Sequence, residues 1–409
     1  MPVLTSLSGN EIYCLNLKGI EPGDLVIGNS VFSLGVIGSV GSGLKMLAGG
    51  EVGNITSIIH EGRLNSYARM HEEARKHGGV GITGVTSELL LHGSSVEFLS
   101  IGSCVHQRGM ARGTEQMAFS SSASGQELYC QMDAGYRPVK FVFGNVAYSI
   151  GIAGGVLGGF QQMARGEVTQ YSDVFSQTRH LAVERISAEA RAAGANSVVG
   201  IETSIIPFRG IQEMVMIGTA SYHPALPAEY ASHPATSDLT NHENWNLVRM
   251  GYLPVRLVLG VSIYSLGIIG GIMSSIKSLA RGEIDELTSL IYEARESAIS
   301  KMMKDAADSG ADDVAGIKTY VYDLGNGMIE FMAIGTAVKF FPGVTTASES
   351  LPCQAIIEDK DTFINTAESA YGADVSNSTS TNKRRRVGKN KGPVTLWDII
   401  KIVLKVAGG

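Results

Sequence analysis

Residues 194–201 read GANSVVGI, and residues 310–317, lying 116 positions later, read GADDVAGI. Residues 78–85, lying 116 positions before the first of these stretches, read GGVGITGV. The same offset relates many other residues: Gly28, Gly144 and Gly260; Ser33, Ser149 and Ser265; Glu51, Glu167 and Glu283; Arg63, Arg179 and Arg295. A fixed period of this size indicates tandem copies of one structural unit.

We predict three modules, two polar linkers and a two-part tail. The modules are expected at 11–106, 127–223 and 243–340, the linkers at 107–126 and 224–242, a polar linker with a basic end at 341–394 and an amphipathic helix at 395–409. The hairpin that ends the third module carries a one-residue insertion, since Gly102 and Gly218 are matched by Gly335. The tail before the terminal helix is rich in Ser, Thr, Asn and Asp, which is typical of disorder.

Each module is predicted to contain strands and two helices. In the second module a strand at 139–143 should lead to Gly144, and Ser149 should cap a first helix. The second helix should begin near Ser172, or near Thr56 and Thr288 in the other copies, and end at Gly194 in the left-handed conformation. Two strands should follow, at 197–204 and 212–221, and a further strand should precede the module, at 127–131 or, in the first copy, at 11–15. The second helix has one buried stripe, formed by Leu290, Ala294, Ala298, Met302 and Ala306.

The first helix of each module is predicted to carry Gly or Ser along one whole face. The small residues occupy positions i, i+3, i+4, i+7 and i+8: Gly35, Gly38, Ser39, Ser42 and Gly43; Gly151, Gly154, Gly155, Gly158 and Gly159; Gly267, Gly270, Gly271, Ser274 and Ser275. Each helical Gly costs about 0.5–1 kcal/mol relative to Ala, and close packing against another backbone would offset that cost. We expect this face to form an oligomer interface. A membrane span and a dinucleotide-binding loop are less favoured alternatives. Charged residues and a Gly-Glu turn interrupt the segments, and their glycines recur at helical spacing with no GxGxxG and acidic partner following them.

Taken together, these motifs resemble the YbjQ-like family, whose domains are labelled heavy-metal-binding. The resemblance rests on the glycine after the strand, the Gly-Glu turns, GANSVVGI and GADDVAGI, and the IGTAS and IGTAV segments at 217–221 and 334–338. It implies an α+β fold of three two-layer modules of ββααββ type, similar to the dodecin-like class, which assemble into five-fold rings. With three modules in each chain, five chains would form a pentamer of three stacked rings. The family label implies a soft heavy-metal ion as the ligand.

Composition and cysteine use exclude several classes of protein. The net charge of −6 argues against a nucleic-acid partner, and the N-terminus lacks the pattern of a signal peptide. Four cysteines in so long a chain do not indicate a disulfide framework, so we expect reduced thiols in a cytoplasmic protein. No catalytic constellation recurs, which predicts that the chain is not an enzyme.

Metal and anion sites are the binding sites that the residues suggest. Cys14 and Cys130 are equivalent by the offset and could hold a soft metal, although buried thiols without a ligand are the more common case. Arg63, Arg179 and Arg295 could bind an anion, or each could form a structural ion pair with Glu51, Glu167 or Glu283. Of these, we favour the structural ion pairs.

The tail suggests a docking segment. The basic residues Lys383, Arg384, Arg385 and Arg386 precede an amphipathic helix with Trp397, Ile400 and Leu404 on its apolar side. This pattern suits an anionic membrane surface, a partner protein or the chain's own domains. The first hypothesis is therefore a ring-forming homo-oligomeric scaffold tethered by its tail. The alternatives are a metal- or anion-binding sensor with its ligand at the ring axis, and a channel lined by the glycine-rich helices.

Overall fold

The computed structural model describes residues 3–33, 50–92, 95–110, 113, 117–149, 166–208, 211–265, 285–325 and 328–357. The glycine-rich interface residues that we predicted (Gly35, Gly38, Gly151, Gly154, Gly155, Gly158, Gly267, Gly270 and Gly271) lie outside these ranges, as do Glu283 and the docking residues of the tail. Those expectations remain predictions. Among the described residues, no helix combines the length and the apolar content needed to cross a membrane.

Three mixed α/β modules follow one another and repeat the same order of elements. The first contains α1 (Gly9–Leu17), β1 (Ile20–Ser33), β2 (Gly50–Glu51), α2 (Gly53–Lys76), β3 (Gly81–His92), β4 (Ser95–Gln107) and β5 (Phe119–Ser120). The second contains α3 (Gly125–Asp133), β6 (Arg137–Ser149), β7 (Gly166–Glu167), α4 (Thr169–Ala192), β8 (Ser197–Phe208), β9 (Ile211–Tyr222), a 3₁₀ turn (Ala228–Ala231) and β10 (Ala235–Thr236). The third contains α5 (Asn241–Arg249), β11 (Tyr252–Ser265), α6 (Asp285–Ala307), β12 (Asp313–Gly325) and β13 (Met328–Phe340), followed by α7 (Cys353–Ile356).

Each module is a sheet with one long helix packed on it, which confirms the predicted repeated α+β fold. The strand orders are β1-β4-β3-β5, β10-β8-β9-β6-β2 and β12-β13-β11-β7. The three long strands of each module pair antiparallel, whereas β5 and β10 pair parallel with β3 and β8. The predicted linkers therefore contribute a short strand each.

A glycine sets the distance between helix and sheet in every module. A Cβ atom on Gly144 would lie 2.2 Å from the carbonyl oxygen of Ala182 in α4, closer than any side chain can come. The corresponding distances are 2.1 Å from Gly28 to Ser66 and 2.1 Å from Gly260 to Ala298. The repeat of glycine at these positions thus reflects direct contact between strand and helix backbones.

The long helices end as predicted but begin three residues earlier than expected. Gly194 follows α4 with a φ of +72°, the left-handed value that stops a helix. The helix α4 begins at Thr169, so Ser172 is inside its first turn. The hydroxyl of Ser172 instead accepts a hydrogen bond of 2.9 Å from the backbone N–H of Ile263 in the next module. Thr56 accepts likewise from Ala147 at 3.0 Å, so these hydroxyls join modules rather than cap helices.

The predicted strands at 11–15 and 127–131 are helices, α1 and α3. Both begin with a capping box, in which the hydroxyl of Ser8 or Ser124 accepts from the N–H of Glu11 or Glu127. The carboxylate of the same Glu accepts from the backbone N–H of the serine. These reciprocal bonds favour a helix over a strand. The helix α5 repeats the motif with Thr240 and Glu243.

Candidate functional site at the inter-module interfaces

The sheets of modules 2 and 3 are apolar on both faces. Side chains of a strand alternate between faces, so Val142 and Val146 point to α4 while Phe141 and Phe143 point the other way. Phe141 and Phe143 join a buried cluster with Met70 of module 1. In the third module Leu257, Leu259 and Ile263 are buried in the same way in a cluster with module 2. The long helices α2 and α4 therefore each pack on two sheets, their own and that of the next module.

We call the outer face of a long helix the helix surface, and the sheet face that it covers in the following module the sheet surface. The helix surface of α2 meets the sheet surface of module 2, where the ring of Tyr67 stacks on Phe141 at 5.6 Å and His60 lies 5.0 Å from Phe143. The helix surface of α4 meets the sheet surface of module 3. The two interfaces are equivalent, so one contact geometry is used twice within the chain.

A fully buried ion pair lies at the centre of the first interface. The guanidinium of Arg63 in α2 donates to Glu213 of β9 from Nε at 3.0 Å and from Nη2 at 2.8 Å. Its Nη1 donates to the carbonyl and the hydroxyl oxygen of Ser87, at 3.0 and 2.9 Å. Both charged side chains have 0% exposure. A charge pair so buried is stable only when both partners remain, because either one alone would be left unpaired away from water.

The second interface repeats this pair with Arg179 and Glu330. Nε and Nη2 of Arg179 donate to Glu330 at 3.0 and 2.7 Å, and Nη2 also donates to the hydroxyl of Tyr148 at 2.7 Å. The guanidinium lies 4.3 Å above the ring of Tyr148. Burial lowers the pKa of Arg179, but the charge of Glu330 and the hydrogen bonds outweigh burial and hold that pKa above its ordinary value.

The predicted pairing of these arginines with Glu51 and Glu167 is wrong. Glu51 instead binds Arg185 of the next module at 2.7 Å, and Glu167 binds Lys301. The reason is position: each of these glutamates lies in a two-residue strand that pairs with the following module's sheet, β2 with β6 and β7 with β11. Burial raises the pKa of Glu167, but the hydrogen bonds from Lys301, Ser172 and Ser297 and the charge of Lys301 together outweigh burial and lower the pKa below its ordinary value.

Glu213 and Glu330, the true partners, were missed from the sequence. The signal was present, because Glu97, Glu213 and Glu330 occupy the same position of the terminal hairpin, with the one-residue insertion in the third copy. Since the carboxylates of Glu213 and Glu330 neutralise these two buried guanidinium groups, the structure argues against anion binding by Arg63 and Arg179. The third arginine, Arg295, is only partly buried.

Hydrogen bonds between the connecting segments and the sheets of the following modules join the modules a second time. The oxygen of Ser120 accepts from the N–H of Phe141 at 2.9 Å, and Thr219 accepts from the N–H of Ser122 at 3.1 Å. The second connection repeats both bonds: Thr236 accepts from Leu257 at 2.7 Å, and Thr336 accepts from Asp238 at 3.1 Å. The segments between modules are thus fixed parts of the interface.

Cys14 and Cys130 come together in one apolar cluster, on the packed helices α1 and α3. Neither forms a disulfide, and both have 0% exposure. Burial raises the pKa of Cys130, which keeps the thiol protonated, whereas a metal ligand must be a thiolate. Within the described ranges, no group of three or more His, Cys, Asp or Glu side chains is placed to hold a metal ion. The surroundings of these cysteines fit small core residues better than metal ligands.

Comparison with known proteins agrees with the repeat. A family model described as "Putative heavy-metal-binding" (YbjQ) matches three stretches, 16–106, 135–223 and 252–341, which make up more than half of the chain. The Encapsulin nanocompartment protein Rv1762c of Mycobacterium tuberculosis is 34% identical over 208 residues, covering 49% of this chain and 77% of that protein. A UPF0145 protein of Vibrio campbellii is 41% identical over 83 residues, covering 20% of this chain and 80% of that protein. Another, of Shewanella frigidimarina, is 39% identical over 88 residues, covering 22% and 82%. The chain therefore belongs to the YbjQ family, as three tandem copies of its domain.

Proposed function

We propose that the protein is a non-enzymatic scaffold whose copies assemble into a ring. The observation that carries this proposal is the heterologous interface, with its fully buried Arg–Glu pair, which occurs twice in succession within one chain. A heterologous contact that repeats generates a ring when its rotation closes. The name of the mycobacterial relative, an encapsulin nanocompartment protein, supports a role in a self-assembled structure.

The serial packing favours one arrangement of modules over another. If each module of a chain belonged to a different stacked ring, neighbouring modules would meet through contacts between rings. Instead they share extensive helix-to-sheet packing, added strands and buried charge. We therefore propose that the three modules of one chain are consecutive members of the same ring. This arrangement replaces the pentamer of three stacked rings that the sequence suggested.

The tail supplies a tether in this proposal. Its basic cluster and its Trp-, Ile- and Leu-bearing helix suit an anionic membrane or a groove on a partner protein. A channel is less well supported, because only the pattern of Gly and Ser in the sequence favours it.

Native mass spectrometry of the full chain and of a chain lacking residues 383–409 tests the scaffold. We expect one defined oligomer for both proteins, and flotation with anionic vesicles for the full chain only. A full chain that stays monomeric at micromolar concentration would contradict the scaffold. Equal flotation of the two proteins would remove the membrane tether and leave the scaffold intact.

A heavy-metal store or sensor is the second candidate. The family description supports it, and Cys14 and Cys130 are the thiols that would have to lose their protons to bind a soft metal. Metal analysis of the purified oligomer, together with the variants Cys14→Ser and Cys130→Ser, tests this function. Stoichiometric soft metal that is lost in both variants would support it, and protein that takes up no added metal would contradict it.

A further inference from the structure

Each end of the chain presents one half of the interface that the chain uses twice internally. We propose that these halves bind each other between copies, so that the helix surface of module 3 in one copy docks on the sheet surface of module 1 in the next. This inference rests on the proposed scaffold and identifies the contact that would build it.

The sheet surface of module 1 carries exposed apolar side chains. Ile27 is 46% exposed and Val31 is 58% exposed, whereas their counterparts in module 2, Phe143 and Ala147, are 2% and 0% exposed beneath α2. Leu25 is also exposed, and its counterpart is the buried Phe141. Burial of apolar side chains is the main gain in association. The surface therefore has the character of an interface without its occupant.

The helix surface of module 3 has matching apolar residues. Tyr292 and Met303 on α6 are exposed, and Ile299 is partly buried. By the repeat offset Tyr292 corresponds to His60, which contacts Phe143 in the first interface. The same geometry between two copies would bring Tyr292 against Ile27.

The charges complement each other as well. Arg295 is the counterpart of Arg63 and Arg179, yet it makes no hydrogen bond or ion pair with any residue that the structure describes. Its expected partner is Glu97, the counterpart of Glu213. The side chain of Glu97 is 18% exposed, and its carboxylate lies 2.7 Å from Nε2 of His92. Glu213 and Glu330 have 0% exposure in the two complete interfaces. Docking would bury Glu97 against a guanidinium in the same way.

The sheet edges give an independent reason for the same partner. In sheets 1 and 2 the strands β5 and β10, from the connecting segments, cover the edges of β3 and β8. Within the described residues, β12 of module 3 has no such strand, and Ile317 is 48% exposed where its counterparts Val85 and Ile201 are buried. Residues 3–4 precede module 1 at the position that β5 and β10 have before modules 2 and 3. The side chain of Leu4 is 75% exposed. The N-terminal segment of a second copy fits this edge.

Charge reversal tests the proposed contact. We expect Arg295→Glu or Glu97→Arg alone to raise the dissociation constant of the assembly roughly thirtyfold or more, and the double variant to restore most of the affinity. Ile27→Asp should dissociate the assembly as well. The matched control is Lys304→Glu on the same helix, because its counterpart in module 1, Glu72, stays 47% exposed beside the complete interface. Sedimentation velocity across protein concentrations measures each effect.

Cross-linking gives a second measurement that does not depend on weakening the assembly. Two differently tagged full-length proteins would both carry Cys353→Ser. One would also carry Ile27→Cys and the other Tyr292→Cys, and in the control the second protein would carry Lys304→Cys in place of Tyr292→Cys. A short bismaleimide should join positions 27 and 292 of different copies and leave the control pair unjoined.

The outcomes separate the interface from the scaffold. An oligomeric wild type whose assembly is unchanged by Arg295→Glu and by Ile27→Asp, or that gives no cross-link between positions 27 and 292, overturns the interface while the scaffold stands. A monomeric wild type overturns both. Open filaments with the expected cross-link support the interface and overturn the closed ring.

Discussion

At the scale of single residues, contacts between backbone atoms determine which amino acid can occupy several positions. The Gly at 28, 144 and 260 lies under a helix carbonyl oxygen, and no side chain fits there. Charge and shape together require an arginine at positions 63 and 179, since each guanidinium donates from Nε and Nη2 to one carboxylate. Lys could not reproduce this bidentate geometry. Identity at such positions follows from geometry that is repeated in each module.

We predict that Gly144→Ala destabilises the protein by about 1–3 kcal/mol, as overpacking of a filled contact does. The added methyl group would displace α4 from β6, since Ala182 leaves no space. Gly9→Ala is the matched control, because a Cβ at Gly9 meets nothing within 4 Å. Urea denaturation of both variants measures the difference. Equal stability of the two would show that helix and sheet can separate without cost.

At the scale of elements, the long helices α2 and α4 each connect two sheets. The helix α4 contacts its own sheet through Ala182 and Ile186 and the next module through Arg179 and His180. His180 lies 3.4 Å from Asp305 of α6, which also binds Arg256 at 2.8 Å. Burial lowers the pKa of His180, but the hydrogen bond to Asp305, the hydrogen bond to the backbone of Ser176 and the charge of Asp305 together outweigh burial and raise the pKa above the ordinary value of 6.5.

This contact predicts a pH dependence of stability. Because the folded pKa of His180 is raised, its stabilisation is fully present below about pH 6.5 and is lost as the pH rises through the folded value. Between pH 6 and 8, the fall in melting temperature should therefore be steeper for the wild type than for His180→Gln. Exposed His233, changed to Gln, is the control and should leave the slope unchanged. A slope identical in wild type and His180→Gln would disprove the contribution.

At the scale of the whole molecule, the cores do not stop at module boundaries. One buried cluster includes Val142 and Met216 of module 2 with Leu259 and Met332 of module 3. Repeat proteins of this kind derive their cooperativity from the interfaces between neighbours. The chain should consequently unfold as one unit as long as those interfaces are intact.

We predict that Glu330→Gln costs about 3–5 kcal/mol, because it leaves Arg179 buried and unpaired. The same change should split the single calorimetric transition into two, as module 3 separates from modules 1 and 2. Glu167→Gln is the matched control in the same interface: its pair with Lys301 is partly exposed, so about 1 kcal/mol or less should be lost. A single transition in Glu330→Gln would show that apolar packing alone couples the modules.

Periodicity in the sequence was enough to predict the repeat, the left-handed glycines after the long helices and the buried stripe on α6, while the family was predicted from the resemblance of short motifs. These features are local or recur at one offset, so they can be recognised without knowing which elements touch. The helical state of 11–15 and 127–131 also had a local signal, the Ser-x-x-Glu capping boxes, which the prediction of strands overlooked. The partners of Arg63 and Arg179 and the strands inside the linkers were decided by the tertiary structure. The partners Glu213 and Glu330 lie 150 and 151 residues away in the neighbouring module, beyond any local pattern. Only the packing of one module's helix on the next module's sheet brings those charges together, because their burial requires both surfaces at once.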